Sequence, residues 1–146
     1  MGKVNEGLFS SNTEVWATPQ AFFDKLDGEF HFTLDPCALP SNAKCKKYYT
    51  PEDNGLEKDW SGESVFCNPP YGSAIKLWVK KCYEEAKKGA LVVMLIPART
   101  DTSYFHDYIY NKAEIRFLRG RLKFGEAKQS APFLSMVVVY NYSSTF

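Results

Sequence analysis

The sequence predicts an open α/β sheet, mostly parallel, closed by an antiparallel pair of strands at its carboxyl end. Two observations carry most of that prediction. Leu91-Val92-Val93-Met94-Leu95-Ile96 is apolar at every position, as in a strand covered on both faces, and Pro97 ends it. Just before it, Ile75, Trp78, Val79, Cys82 and Ala86 recur at the helical period with lysines and glutamates opposite, so a helix leads into that strand. A third observation extends the pattern: Val65-Phe66-Cys67 is a shorter apolar strand that stops at Asn68-Pro69-Pro70-Tyr71, directly ahead of the helix.

The remaining elements follow in order. Residues 1–13 are polar and aperiodic and read as a flexible tail, leaving 14–146 as one domain. Thr18 is placed to cap a short helix with Pro19 in its first turn, Phe22, Phe23 and Leu26 on its apolar side, and Gly28 as its stop. Phe30 to Asp35 alternates like a strand, and Tyr48-Tyr49-Thr50 suggests a brief second one. Ser73 is a candidate cap, and Gly89 a stop, for the helix of residues 75–86. Asp101 or Thr102 is placed to cap another helix carrying Phe105, Tyr108 and Ile109. Glu114 to Leu118 and Phe133 to Tyr140 form the closing pair.

Composition narrows the classes of function. The chain has 146 residues, of which 45% are hydrophobic and 16% aromatic, enough for one packed core but little more. No apolar run reaches bilayer length and the amino terminus lacks the order of a signal peptide, so the expected location is cytoplasmic, without membrane contact. Cys37, Cys45, Cys67 and Cys82 lack paired zinc-type spacing and only His31 and His106 accompany them, so no metal site is expected. A net charge of +1 does not identify a nucleic-acid binder, and any affinity for phosphate must come from local clustering.

The chemistry concentrates at Asn68. Two prolines stiffen the backbone and aim the Asn68 side chain and the Pro69 carbonyl outward from the carboxyl end of the strand, where open α/β sheets place ligands. Two adjacent acceptors suit both hydrogens of a planar exocyclic amine, with Tyr71 lying flat on the ring that carries it. The competing reading of the same residues is a strand-ending turn with a packed tyrosine.

Asn68-Pro69-Pro70-Tyr71 resembles the catalytic motif of amino-methyltransferases that use S-adenosylmethionine, and with its flanks the chain is most similar to the small phage-type DNA N6-adenine methyltransferases. The resemblance covers roughly residues 14–140 and implies a Rossmann-like class I methyltransferase sheet acting on DNA in a bacterial host. Trp16, Thr18 and Pro19 resemble the family segment that packs on the methionine end of the cofactor. Asp35-Pro36-Cys37-Ala38 resembles the cofactor loop after the first strand, although Leu39 to Lys44 stands where the wider class carries a glycine-rich turn. Glu52 or Asp53 is placed for the cofactor ribose. Asp59 and Trp60 suit its adenine, with a solvated acid and a core tryptophan as the alternative. Ala131-Pro132-Phe133 also matches the family, with Leu134 where a second proline is expected.

Between Asn111 and Lys128 lie Lys112, Arg116, Arg119, Arg121, Lys123 and Lys128 against Glu114 and Glu126, a basic cluster able to follow a DNA backbone. Arg99, after the strand at 91–96, reaches a phosphate or holds the catalytic loop; an ordinary helix-start salt bridge is the alternative. The resulting expectation is methyl transfer to N6 of an adenine swung out of the duplex. The same elbow fits cytosine N4, RNA adenine or a glutamine amide. A non-catalytic DNA-binding protein of the same fold is the rival from another class, motivated by the missing glycine turn. A chain this short leaves little room for a recognition domain, which makes a homodimer partner an option.

Overall fold

The computed structural model describes residues 16–125 and 130–142, so the tail expected over 1–13, together with Glu126 and Lys128, lies outside the described residues. The elements run α1 (Gln20–Phe30), β1 (Leu34–Asp35), β2 (Lys47–Tyr48), a 3-10 turn (Gly55–Glu57), β3 (Ser64–Cys67), α2 (Ile75–Lys87), β4 (Leu91–Pro97), α3 (Ser103–Tyr108), β5 (Glu114–Phe117) and β6 (Ser135–Tyr140). The six strands form one sheet in the order β2-β1-β3-β4-β6-β5. β1, β2, β3 and β4 pair in parallel, whereas β6 runs antiparallel to both β4 and β5.

Side chains on successive strand residues point to opposite faces, and this assigns the layers. Phe66 meets Phe23 of α1 edge-on at 5.1 Å, while its neighbour Cys67 meets Cys82 of α2 across the other face. α1 therefore covers one side of the sheet and α2, with α3 beside it, the other. β4 between them is buried from Val92 to Pro97, in agreement with its uninterrupted apolar sequence. β6 is buried along its whole length because it is inserted between β4 and β5 and not added at the edge. The expected closing pair is thus present, with its second strand doing duty as the partner of β4 as well.

Two helix starts differ from expectation. Thr18 does not cap α1: Pro19 occupies the cap position with no side-chain bond, and the Thr18 hydroxyl is turned elsewhere. Ser73 does not cap α2, which begins after Ala74. Thr102 does cap α3, accepting from the Phe105 amide at 3.3 Å. α1 also runs through Gly28 and absorbs Phe30, shortening the expected first strand to Leu34–Asp35. A helical glycine costs about 1 kcal/mol relative to alanine. The extra turn offsets this by delivering Glu29 to Arg116, two bonds of 2.7 Å each, and Phe30 to the face of the same guanidinium. His31, in the left-handed region at φ 52°, then closes the helix.

The strand order places the functional edge. The chain leaves β1 toward β2 on one side and returns to lay β3 on the other, and a crevice opens at that reversal outside the carboxyl ends of the strands. The turn after β1 is supported from below by Gly55, where a side chain would meet the Pro36 carbonyl oxygen at 2.2 Å. Trp60, fully buried, donates its indole N–H to the Gly55 carbonyl at 3.1 Å and locks this contact. Gly55→Ala should accordingly cost more than 2 kcal/mol, on the order of an overpacked core position, measured as a lower urea midpoint with an unchanged slope.

Candidate active site

A cavity of about 340 Å³ occupies the crevice, in the range of small-molecule sites. Its walls include Asp35-Pro36-Cys37-Ala38 from the end of β1 and Asn68-Pro69-Pro70 from the end of β3, and Trp16 and Thr18 close it from the amino-terminal side. Nine of the predicted site residues thus converge on one space. Pro19 stands just outside it, half-buried at the start of α1.

Asn68 is the most constrained of these. Its amide nitrogen donates to the Trp16 carbonyl at 2.5 Å and to the Thr18 hydroxyl at 2.9 Å, and its oxygen accepts from the Tyr71 hydroxyl at 2.6 Å. The amide cannot be reversed, because that would set two carbonyl-type oxygens 2.5 Å apart. Both amide hydrogens are therefore spent inside the protein. The oxygen has a second lone pair, so the group Asn68 offers to a ligand is an acceptor. Pro69, next to it on the cavity wall, has a carbonyl that accepts no hydrogen bond from the described residues.

Tyr71 is placed differently from expectation. Its ring is 6% exposed, meets Phe124 and Phe133 edge-on at 6.3 and 5.7 Å, and does not line the cavity. No face lies open for a base. Its hydroxyl reaches both Asn68 and the Leu95 carbonyl, the latter at 3.0 Å, and burial raises the phenol well above its ordinary pKa, keeping it a proton donor. This is the packed tyrosine of the competing reading, with a bond to the catalytic candidate added.

The loop after β1 is organised by Asp35. Its buried carboxylate accepts from the Lys44 amide at 2.9 Å and the Cys37 amide at 3.4 Å, drawing residues 37–44 into a closed loop without a glycine-rich turn. Asn42 completes it by accepting from the Leu39 amide at 2.9 Å. Gly55 lets its own segment pack directly against the Pro36 end of this loop, an approach that any side chain would block.

Besides Pro19, four predicted cofactor residues do not line the cavity. Glu52 is exposed, and the Asp53 carboxylate is turned back on Thr50, accepting from its amide at 2.9 Å and its hydroxyl at 3.1 Å. Asp59 is exposed and held by Ser61, with Lys88 3.3 Å away. Trp60 stacks on Trp78 at 6.5 Å and is fully buried, which leaves no face for an adenine. The positions that do line this wall are Tyr49, Thr50, Asn54, Leu56 and Trp78. None of them is among the predicted site residues, though the turn signal Asn54-Gly55 and the start of the amphipathic stripe at Ile75 and Trp78 both mark the neighbourhood.

The basic residues divide. β5 runs parallel to β4, and β6 starts at the same edge with Ser135 opposite Pro97, so residues 118–125 leave β5 at the edge where β4 ends. Arg119, Arg121 and Lys123 are exposed on it, and Arg99 is exposed after β4. Arg116 is excluded from this group: its guanidinium is held by Glu29 and by Glu114, the latter at 2.5 Å. It secures α1 to the sheet.

Burial pushes the Asp35 carboxyl up to about 6 from 3.8, against the pull of the Lys44 and Cys37 amides. The folded protein then keeps a proton that the unfolded chain has lost, and stability contributed by this group falls as pH rises from about 4 to 6. Asp35→Asn does not titrate there. Its stability relative to wild type should improve by on the order of 2 kcal/mol between pH 4 and pH 7, read from urea unfolding at the two values.

Comparison of the sequence with known proteins places the chain in a family. The chain matches the family described as DNA N-6-adenine-methyltransferase (Dam) over residues 7–139. It is 33% identical over 110 residues to a DNA N-6-adenine-methyltransferase of Haemophilus phage HP1, a match covering 74% of this chain and 64% of that protein. A second such protein, from Escherichia phage T1, is 33% identical over 111 residues, 75% of this chain and 46% of the relative. A putative methyltransferase, YfdM of Escherichia coli K12, is 43% identical over 65 residues, 40% of this chain and 71% of the relative. The chain thus spans between about half and two thirds of the phage relatives it matches. With a family match extending over nearly the whole chain, the protein belongs to the DNA N-6-adenine-methyltransferase (Dam) family.

Proposed function

We propose that this protein transfers a methyl group from S-adenosylmethionine to the N6 amino group of adenine in DNA. The observation that carries the reading is the fixed Asn68 amide at the end of β3, whose nitrogen is spent on Trp16 and Thr18 so that its oxygen is left as the acceptor, with Pro69 beside it on the wall of a cavity at the sheet's reversal point. Family membership supplies the reaction class.

The cavity fits the cofactor in size and in the character of its walls. Tyr49, Leu56 and Trp78 offer apolar surface for a nucleobase, and Thr50, Asn54 and Asn42 offer polar groups for sugar hydroxyls. Asp35, Cys37 and Ala38 form the adjoining wall, and Trp16 and Thr18 close the end nearest Asn68. When bound there, S-adenosylmethionine supplies an electrophilic methyl group carried on a sulfonium.

Asn68 and Pro69 each accept one hydrogen of the target amine. Their pull opposes delocalisation of the nitrogen lone pair into the ring and sets its direction, so positioning supplies most of the rate and no general base is needed before transfer. As the N–C bond forms the methyl–sulfur bond breaks, leaving a neutral thioether, and the charged nitrogen then loses one of its two hydrogens as a proton to water. Tyr71 serves Asn68 by holding its oxygen, instead of acting as a stacking platform. Arg119, Arg121, Lys123 and Arg99 meet the DNA backbone around the extruded base and position it without reading sequence.

The test is transfer of labelled methyl from S-adenosylmethionine to unmethylated DNA, followed by digestion to nucleosides. Label should appear in N6-methyladenine and vanish in Asn68→Ala; label in cytosine would keep the site and change the base, and no label without cofactor binding would favour a non-catalytic DNA-binding role. In the same assay, replacing Arg119 and Arg121 together by alanine should raise KM for DNA and lower the salt-dependence slope by about 2, leaving cofactor affinity unchanged.

A further inference from the structure

Thr18 stands where a helix cap belongs but does not cap. Its residue type and its place ahead of Pro19 fit the start of α1, yet α1 begins with no side-chain bond at its cap. The hydroxyl instead accepts the second amide hydrogen of Asn68 at 2.9 Å, from a side chain only 5% exposed. A helix left uncapped costs on the order of 1 kcal/mol, so the hydroxyl's position calls for another cause.

That cause is the choice the Asn68 amide must make. An asparagine presents either an acceptor or a donor pair to its ligand, depending on which end of the amide faces it. Here the Trp16 carbonyl and the Thr18 hydroxyl take both hydrogens, and the Tyr71 hydroxyl meets the oxygen from the other side. The strap bearing the two acceptors is itself fixed: the Ala17 carbonyl accepts from the Gly125 amide at 2.8 Å, and the Trp16 ring is wedged against Phe124 and Phe133 at 5.5 and 5.2 Å. The result is an amide whose oxygen alone remains for a ligand.

We infer that Thr18 is a positioning residue whose hydroxyl, with the Trp16 carbonyl, fixes the Asn68 amide so that its oxygen meets the amine to be methylated. The inference rests on the reading of Asn68 given above. It makes the strap a determinant of substrate class: a fixed acceptor favours amino-bearing bases and repels a carbonyl at the same place. Without the hydroxyl, one amide hydrogen loses its partner and the amide, held only by the Trp16 carbonyl and the Tyr71 hydroxyl, is less firmly aimed at the reacting nitrogen.

The experiment compares Thr18→Val, which keeps shape and removes the hydroxyl, with Thr18→Ser, which keeps the hydroxyl, using the full chain, unmethylated DNA and S-adenosylmethionine. Thr18→Val should lower kcat about tenfold, the size of one lost hydrogen bond, while the S-adenosylmethionine Kd from calorimetry stays within about twofold and Thr18→Ser retains kcat. Unchanged kcat in Thr18→Val overturns the inference. So does an equal loss in Thr18→Ser, or a loss of cofactor affinity as large as the loss of kcat, which would make Thr18 a cofactor contact. If Thr18→Val does not fold, judged by its thermal transition, Thr18→Ala is held to the same criteria. Asn68→Ala separates the two levels. If it methylates like wild type, the reading of Asn68 fails; if it is inactive while Thr18→Val is fully active, only the role of Thr18 fails.

Discussion

Two consecutive prolines after a buried strand are the constraint on which the site depends. Pro69 and Pro70 bring no amide hydrogen and hold their φ near −65°, so β3 cannot continue and the turn cannot slide in register. β3 is meanwhile held on both sides, paired with β4 through Cys67 opposite Met94 and with β1 at Val65. Asn68 is the first residue beyond that rigid pairing. Its side chain therefore leaves the sheet at a position set by the core, and the remaining freedom, rotation of the amide, is removed by hydrogen bonds to Trp16, Thr18 and Tyr71.

A second anchor supports the opposite wall. Glu85 of α2, only 3% exposed, accepts from the Trp60 amide at 2.6 Å and from Lys81 and Lys88 at 3.0 Å each. Burial alone would raise its carboxyl pKa, but the Trp60 amide and the two ammonium groups outweigh that effect and lower it. Lys81 also lies over the Trp60 ring at 5.3 Å and donates to the Lys58 carbonyl at 2.5 Å. Through Trp60 this buried charge cluster holds Gly55, and through Gly55 it holds the Pro36 turn. A loop with almost no regular structure is thereby made a firm wall.

Elements decided by local pattern were legible in the sequence, and those decided by remote partners were not. β4 and α2 appear at nearly their expected bounds because an all-apolar run and a clean helical stripe each admit one burial. The cavity residues around Asn68 and Asp35 were legible too, since proline after a polar residue ends a strand at the edge where ligands bind. Asp59 and Trp60 read equally well as cofactor contacts or as an exposed acid and a core ring, and only the partner Trp78, eighteen positions away, decides for the core. Arg116 read as one more cation in a basic stretch. Its bidentate partner Glu29 lies 87 residues earlier, on a helix expected to have ended at Gly28.

Thr18 marks the boundary between the two kinds of information. Read locally, a threonine before proline is a helix cap, and that expectation is sound for an isolated helix. In the folded chain the same hydroxyl has a competing partner, an amide whose second hydrogen would otherwise face a buried wall unpaired. An exposed helix start can turn to water for its free amides, whereas a half-buried asparagine hydrogen cannot, so the desolvated group wins the hydroxyl. The same rule explains Tyr71, whose phenol is drawn inward to the Asn68 oxygen and the Leu95 carbonyl instead of lying open beneath a ligand. In both cases a local preference gives way to the satisfaction of Asn68, a polar side chain that the end of β3 carries into the crevice. The departures from local rules consequently cluster around Asn68, where buried polar groups compete for a small number of partners.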